Sequence, residues 1–292
     1  MKYGIYYAYW EQEWMADYRY YIEKASRLGF DILELAATPI PGYSDAELAD
    51  LRDFAAGHGV TLTVGHGPLP GQNLASADAA VRAGAKVFFI DLLKRLTKLD
   101  VHLIGGGIYS YWPVDYSRPV DKAGDWGRSV EGVREVARVA EDCGVDYCLE
   151  ALNRFEGYLL NTAEEAVEFV RQVGNPRVKV MLDTFHMNIE EDSIGGAIRT
   201  AGPLLGHFHV GECNRRVPGK GRIPWREIGG ALRDIGYDRA VVMEPFVRMG
   251  GRVGSDIKVW RDLSRGADES GLDSDAAGSL RFLKSALQSR AG

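Results

Sequence analysis

The opening stretch Tyr3-Gly4-Ile5-Tyr6-Tyr7 is apolar and strand-like; an amphipathic stretch from Met15 to Leu28 follows, and then Asp31-Ile32-Leu33-Glu34-Leu35. That is one strand–helix–strand unit, and the pattern repeats along the chain. Ser44-Asp45-Ala46-Glu47 has capping-box spacing and opens a helix ending before Gly57, after which Thr61-Leu62-Thr63-Val64 reads as strand three. A helical region spans Ala75 to Leu99. Strand four is Val101-His102-Leu103-Ile104, stopped by Gly105-Gly106-Gly107, with a helix from Trp126 to Cys143 behind it.

Strand five is Asp146-Tyr147-Cys148-Leu149-Glu150, strand six runs from Val178 to Asp183, strand seven from Leu205 to Val210, and strand eight is Ala240-Val241-Val242-Met243-Glu244. Helices are predicted over Thr162 to Val173, Ile194 to Ala201, Trp225 to Ile235 and Ala276 to Ser289. Eight strands alternating with eight helices over 292 residues predict a closed (β/α)₈ TIM barrel, one domain covering 1–292. A doubly wound open sheet ranks second, because no G-x-G-x-x-G follows the first strand. The stretch 248–274 reads as a long polar loop, a lid or a subunit interface.

Composition narrows the function classes. There are 35 Lys+Arg against 41 Asp+Glu, a net charge of −6, so binding nucleic acid through a basic surface is disfavoured. No apolar run reaches membrane-spanning length, and Met1-Lys2-Tyr3 leads straight into a strand rather than a leader segment. Cys143, Cys148 and Cys213 form no C-x-x-C and read as reduced packing residues, so the expected compartment is cytoplasmic.

Polar residues closing apolar strands are the first candidates for chemistry, since a barrel's active site lies at the C-terminal strand ends. Glu150, Asp183, His209 and Glu244 close or nearly close strands five to eight. Brought together, three carboxylates repel one another, and a cation relieves that repulsion. Three carboxylates and one imidazole suit Mn²⁺, Mg²⁺ or Co²⁺ better than a structural zinc. His207 shares a strand face with His209, but it lies deeper and reads as a core histidine bonded to a neighbouring strand-end group.

Glu156, His186 and Arg215 follow three of these candidates by three to six residues, on loops of the same face. The segment Arg215-Arg216-Val217-Pro218-Gly219-Lys220-Gly221 is basic and Gly-rich, yet Gly221 stands where a P-loop needs Ser or Thr. Tyr6, Tyr7, Tyr9, Trp10, Trp14, Trp112 and Phe246 offer flat apolar walls of the kind that sugar rings stack on, with core packing as the competing reading.

The segments Leu149-Glu150-Ala151-Leu152-Asn153-Arg154-Phe155-Glu156, Met181-Leu182-Asp183-Thr184-Phe185-His186-Met187-Asn188, Gly206-His207-Phe208-His209 and Met243-Glu244-Pro245-Phe246 closely resemble the D-tagatose/D-psicose 3-epimerase family. These are metal-dependent ketose epimerases among the xylose-isomerase-like barrels. The likeness is strongest to the D-psicose (D-allulose) 3-epimerases and runs from Tyr3 to Leu263. It implies that Glu150, Asp183, His209 and Glu244 are metal ligands, and that Glu150 and Glu244 are also the acid/base pair. It further implies that Glu156, His186 and Arg215 hold the sugar's O1, O2 and O3, and that Tyr6, Trp14, Gly67, Gly107, Trp112 and Phe246 wall its far end. One Mn²⁺ or Co²⁺ per subunit, a small ketose substrate and a homodimer or homotetramer come with the resemblance. His66, in Val64-Gly65-His66-Gly67, departs from the small or apolar residue expected there.

Moving the C3 hydrogen of a ketose needs a base on each face of the carbon and stabilisation of a cis-enediolate. An aldose–ketose isomerase is the nearest rival and a non-catalytic, metal-containing sugar-binding protein the rival of another class. A barrel phosphodiesterase is disfavoured by the chain's six histidines and acidic balance.

Overall fold

A computed structural model of the chain describes residues 1–117 and 119–288. Eight parallel strands close into a barrel in sequence order, β1 to β8: Lys2–Tyr6, Ile32–Ala36, Thr61–His66, Leu103–Gly106, Asp146–Glu150, Val178–Asp183, Leu205–Val210 and Ala240–Met243. The ring is shut by β1 against β8, with Tyr3 opposite Val241 and Ile5 opposite Met243. The helices form the outer layer: α1 (Tyr18–Leu28), α2 (Asp45–Gly57), α3 (Ala79–Lys98), α4 (Lys122–Cys143), α5 (Ala163–Val173), α6 (Thr184–Glu190), α7 (Ile194–Ala201), α8 (Trp225–Asp234), α9 (Gly251–Ile257) and α10 (Glu269–Gln288). The predicted single-domain (β/α)₈ barrel is the observed fold.

Local chemistry explains why these elements start and stop where they do. In α5 the Thr162 hydroxyl accepts from the Glu165 N–H, and Gly174 ends the helix at φ +72°, a left-handed geometry that favours glycine. Between them Ala166, Val167, Phe169, Val170 and Val173 turn one apolar face onto the sheet. Each large apolar side chain so buried stabilises the fold by about 1.5–3 kcal/mol. Losing the Thr162 cap costs about 1 kcal/mol.

Several boundaries differ from expectation for identifiable reasons. α1 begins at Tyr18 rather than Met15, because the Asp17 carboxylate caps the Arg19 and Tyr20 N–H groups. α4 begins at Lys122 rather than Trp126, with the Asp121 carboxylate capping Gly124. β4 includes Gly105 and Gly106 rather than stopping before them. The stretch 248–274 is not a single loop, since it contains α9 and the first turns of α10. The polar run Asp268-Glu269-Ser270 looks like loop, yet the Asp268 carboxylate accepts from the Gly271 N–H at 2.8 Å and starts α10 seven residues before Ala276. The expected end of that helix at Ser289 lies outside the described residues. Among the described residues no helix is long and apolar enough to cross a membrane.

Candidate active site

Strand register brings the candidate residues together. Asp183, the last residue of β6, sits directly opposite His209 of β7, and His209 lies opposite Val242 of β8, two residues before Glu244. A bulge sets this register. Val180 pairs with Leu205 but Met181 pairs with His207, leaving Gly206 as the extra residue. A Cβ on Gly206 would lie 2.4 Å from the Lys179 Cβ, so glycine is what lets β7 bulge against β6.

Glu150, Asp183 and His209 are buried, and Glu244 is nearly so. The His209 Nδ1 stands 3.5 Å from a Glu244 oxygen. Arg215 donates from Nη1 to Asp183 at 3.1 Å and to Glu244 at 3.0 Å, while its Nη2 is 3.4 Å from Glu156. The Arg215 guanidinium carbon lies over the Phe185 ring, 3.8 Å from its centroid. Its backbone has φ +61°, and the Phe246 N–H donates to its carbonyl at 2.9 Å.

His186 comes from α6, a short helix where the sequence predicts a loop. The Asp183 side chain both faces the site and caps α6 by accepting from the Phe185 N–H at 3.0 Å. The Nδ1 of His186 accepts from the Asn153 backbone N–H at 3.2 Å and lies 2.8 Å from the Asn153 side-chain amide nitrogen. Two donors on Nδ1 place the ring proton on Nε2. That Nε2 stands 3.7 Å from Glu150 and 3.9 Å from Asp183.

The electrostatics follow from burial and crowding. Burial, then the Glu244 charge, pushes the Glu150 carboxyl well above the usual carboxylate range. Burial acts the same way on Glu156, but Arg215 and His186 outweigh it and hold Glu156 below its ordinary value. Burial lowers the His186 imidazole, favouring its neutral form. For His209 burial is overcome by Glu34 and Glu244, which raise it well above its ordinary value.

A divalent cation fits this donor set. The Glu150 Oε1 and His209 Nδ1 are buried without a hydrogen-bond partner, and Asp183, His209 and Glu244 offer ligand atoms within 4.8 Å of one another. Glu150, Asp183 and His186 form a second such group.

Beside these residues is a cavity of about 280 Å³ lined by Tyr6, Trp14, Gly67, Gly107, Trp112 and Phe246, and by Glu150, Glu156, His186, His209, Arg215 and Glu244. Trp14 packs edge-on against both Trp112 and Phe246, at centroid distances of 6.4 Å and 6.3 Å. Gly67 is required there, because a Cβ would stand 2.8 Å from the Trp112 ring. The aromatics just after the first strand, Tyr7, Tyr9 and Trp10, are core. The site is thus an aromatic-walled cavity with a carboxylate-rich floor.

The family of xylose isomerase-like TIM barrels matches residues 22–268. The D-psicose 3-epimerase of Ruminiclostridium cellulolyticum is 69% identical over 99% of this chain and 98% of its own length. The chain belongs to the D-psicose 3-epimerase family. Another member, from Agrobacterium fabrum, is 63% identical over 98% of this chain and 99% of its own. The crystal structure of the Clostridium cellulolyticum H10 D-psicose 3-epimerase with D-tagatose superposes with a TM-score of 0.98 at 69% identity, covering 99% of this chain and 100% of that one.

Two features of this D-psicose 3-epimerase family member were not read from sequence. Arg252, Asp256 and Ile257 of α9 line the cavity, and the Trp14 indole donates to Asp256 at 2.9 Å. Asn153 and Glu34 support His186 and His209, respectively, and neither was singled out. His66 is among the residues lining the cavity, and its buried ring stacks on Phe88 of α3, meets Phe89 edge-on and bonds Gln72 at 3.1 Å. His207 bonds Glu34 at 2.8 Å in the barrel interior, as a core histidine should.

Proposed function

We propose that this chain is a metal-dependent ketose 3-epimerase that interconverts D-fructose and D-psicose by removing and returning the C3 proton through a cis-enediolate. The observation that carries the reading is the convergence of Glu150, Asp183, His209 and Glu244 beneath an aromatic-walled cavity, in a chain of this family. Those four residues would hold one Mn²⁺ or Co²⁺, with Mg²⁺ also compatible with the oxygen-rich set. When bound, the cation supplies Lewis-acid polarisation of the ketose oxygens and offsets the charge of the enediolate.

The protein residues do the rest. Glu150 and Glu244 reach the site from β5 and from the end of β8, with the β6 and β7 residues between them. They serve as the two bases, each taking or returning the C3 proton on its own side of the sugar. His186, with its proton on Nε2, donates to a substrate oxygen, and Arg215 and Glu156 fix the neighbouring hydroxyls. Trp14, Trp112 and Phe246 wall the far end of the sugar and exclude water. We also propose that the protein works in the cytoplasm as a homodimer or homotetramer with no nucleic-acid or membrane partner. Its three unpaired cysteines and the family resemblance support this.

The test is proton NMR of Mn²⁺-loaded protein with D-fructose in D₂O. Loss of the H3 signal together with formation of D-psicose is expected. If neither occurs while bound metal is verified, the assignment fails.

A further inference from the structure

Glu34 is the one polar residue of an otherwise apolar strand, β2, and is fully buried. Its side chain crosses the barrel interior to β7 and receives three hydrogen bonds. Thr63 donates to Oε2 at 2.8 Å, His207 Nε2 lies 2.8 Å from the same oxygen, and His209 Nε2 lies 2.6 Å from Oε1. A carboxylate offers acceptors only, so both histidines must carry their proton on Nε2 when neutral. The lone pair of His209 is then on Nδ1, the atom 3.5 Å from Glu244 and without a hydrogen-bond partner of its own. Gly65 leaves the room this needs, since a Cβ there would stand 3.3 Å from the Glu34 Oε1.

We propose that Glu34 is a positioning residue for the metal centre, fixing His209 in the tautomer and orientation that present Nδ1 to the cation. The inference rests on the reading that Asp183, His209 and Glu244 take part in metal binding. A carboxylate behind a ligating histidine fixes its ring and raises its basicity, and losing such a partner typically costs 10–100-fold in metal affinity. Glutamine at 34 keeps the size but not the symmetry. Its carbonyl can accept from one histidine only, while its amide must donate to the other, so the two rings compete for one acceptor. Thr63 touches Glu34 but no candidate ligand, so Thr63→Val removes a buried hydrogen bond and leaves the His209 contact in place.

The experiment is direct Mn²⁺ titration, following free Mn²⁺ by electron paramagnetic resonance, on the wild type, Glu34→Gln and Thr63→Val. It is joined by ¹⁵N chemical shifts of the histidines in Zn²⁺-loaded wild type. The expected result is a loss of at least tenfold in Mn²⁺ affinity for Glu34→Gln, less than threefold for Thr63→Val, and a proton on His209 Nε2. A smaller loss in folded Glu34→Gln, or an equal loss in Thr63→Val, overturns the proposal. So does a proton on His209 Nδ1 in the wild type, a readout that stands even if Glu34→Gln fails to fold. A wild type that binds no Mn²⁺ overturns the metal reading itself, whereas wild-type binding with an unaffected Glu34→Gln overturns this inference alone.

Discussion

Asn153 holds His186 by one ring nitrogen from two directions, its backbone N–H 3.2 Å and its side-chain nitrogen 2.8 Å from Nδ1. The pair joins the loop after β5 to α6, and it decides which nitrogen of His186 faces the cavity. Asn153→Ala removes one of the two donors and leaves the backbone N–H, a loss of about 0.5–1.5 kcal/mol for one hydrogen bond. The expected outcome is a fall of about tenfold in kcat/KM for D-fructose, with Mn²⁺ affinity within about threefold of wild type. Asn153→Asp puts an acceptor where the amide donor was, which draws the proton to Nδ1. It is expected to be slower than Asn153→Ala by about a further tenfold, and equal rates for the two variants would show that the tautomer does not matter.

The candidate bases are also candidate ligands, so rate and metal content must be read together. In Glu150→Gln and Glu244→Gln, H3 exchange is expected to fall by more than about 10²-fold, the low end for a positioned acid/base group. Bound Mn²⁺ per subunit should fall as well. Full exchange with full metal in Glu244→Gln sinks its assignment as a base. Stripping the wild type with EDTA should lower its melting temperature by several degrees, because saturation at about 100 times Kd contributes about 2.7 kcal/mol. Mn²⁺ should restore it.

Gly67 sets the distance between β3 and the Trp112 wall. A methyl group at this position would stand 2.8 Å from the ring, and forcing such a contact costs about 1–3 kcal/mol. Gly67→Ala is expected to displace Trp112 and loosen the contact between its indole nitrogen and Glu156, now 3.4 Å apart. The prediction is a KM for ketose raised about tenfold, with Mn²⁺ affinity unchanged. An unaltered KM would show that Trp112 does not shape the sugar site.

His66 gives a pH dependence remote from the chemistry. Burial lowers its imidazole from the ordinary 6.5 to about 4. Between those values the unfolded chain binds the proton and the folded one does not, so stability rises with pH over that window. The contribution is complete above about pH 6.5 and is lost as pH falls toward 4, reaching about 3 kcal/mol. His66→Phe keeps the stacking on Phe88 without a titrating group. Urea unfolding at pH 7 and pH 4.5 should show a smaller acid-side loss for the variant, and parallel losses would contradict the shift.

Legibility varied with how local the cause was. β7 and α7 were read to the residue, since an apolar strand and a helix capped by Ser193 carry their own signals. α6 was missed because its cap is Asp183, a strand residue, leaving no polar gap between strand and helix to announce it. α9 is seven residues long, begins next to Gly250 and Gly251, and has no apolar period to detect. The four candidate ligands stood out because each polar side chain sits at the end of an apolar run. Glu34 sits inside one, and its meaning depends on histidines more than 170 positions away. The His66 ring was legible as unusual, but its direction was set by Phe88 and Phe89 of the following helix.

The ring is shut by its first and last strands, and Glu244 immediately follows the last of them. A nascent chain therefore carries every other candidate ligand before it carries this one, and carries a complete set only once β8 has docked on β1. Contacts between residues this far apart in sequence are the slow ones to form. Manganese uptake should accordingly report completion of the barrel: in stopped-flow refolding it is expected to appear with the final phase, and uptake during an early burst would mean that the cation templates the ring instead of recognising it.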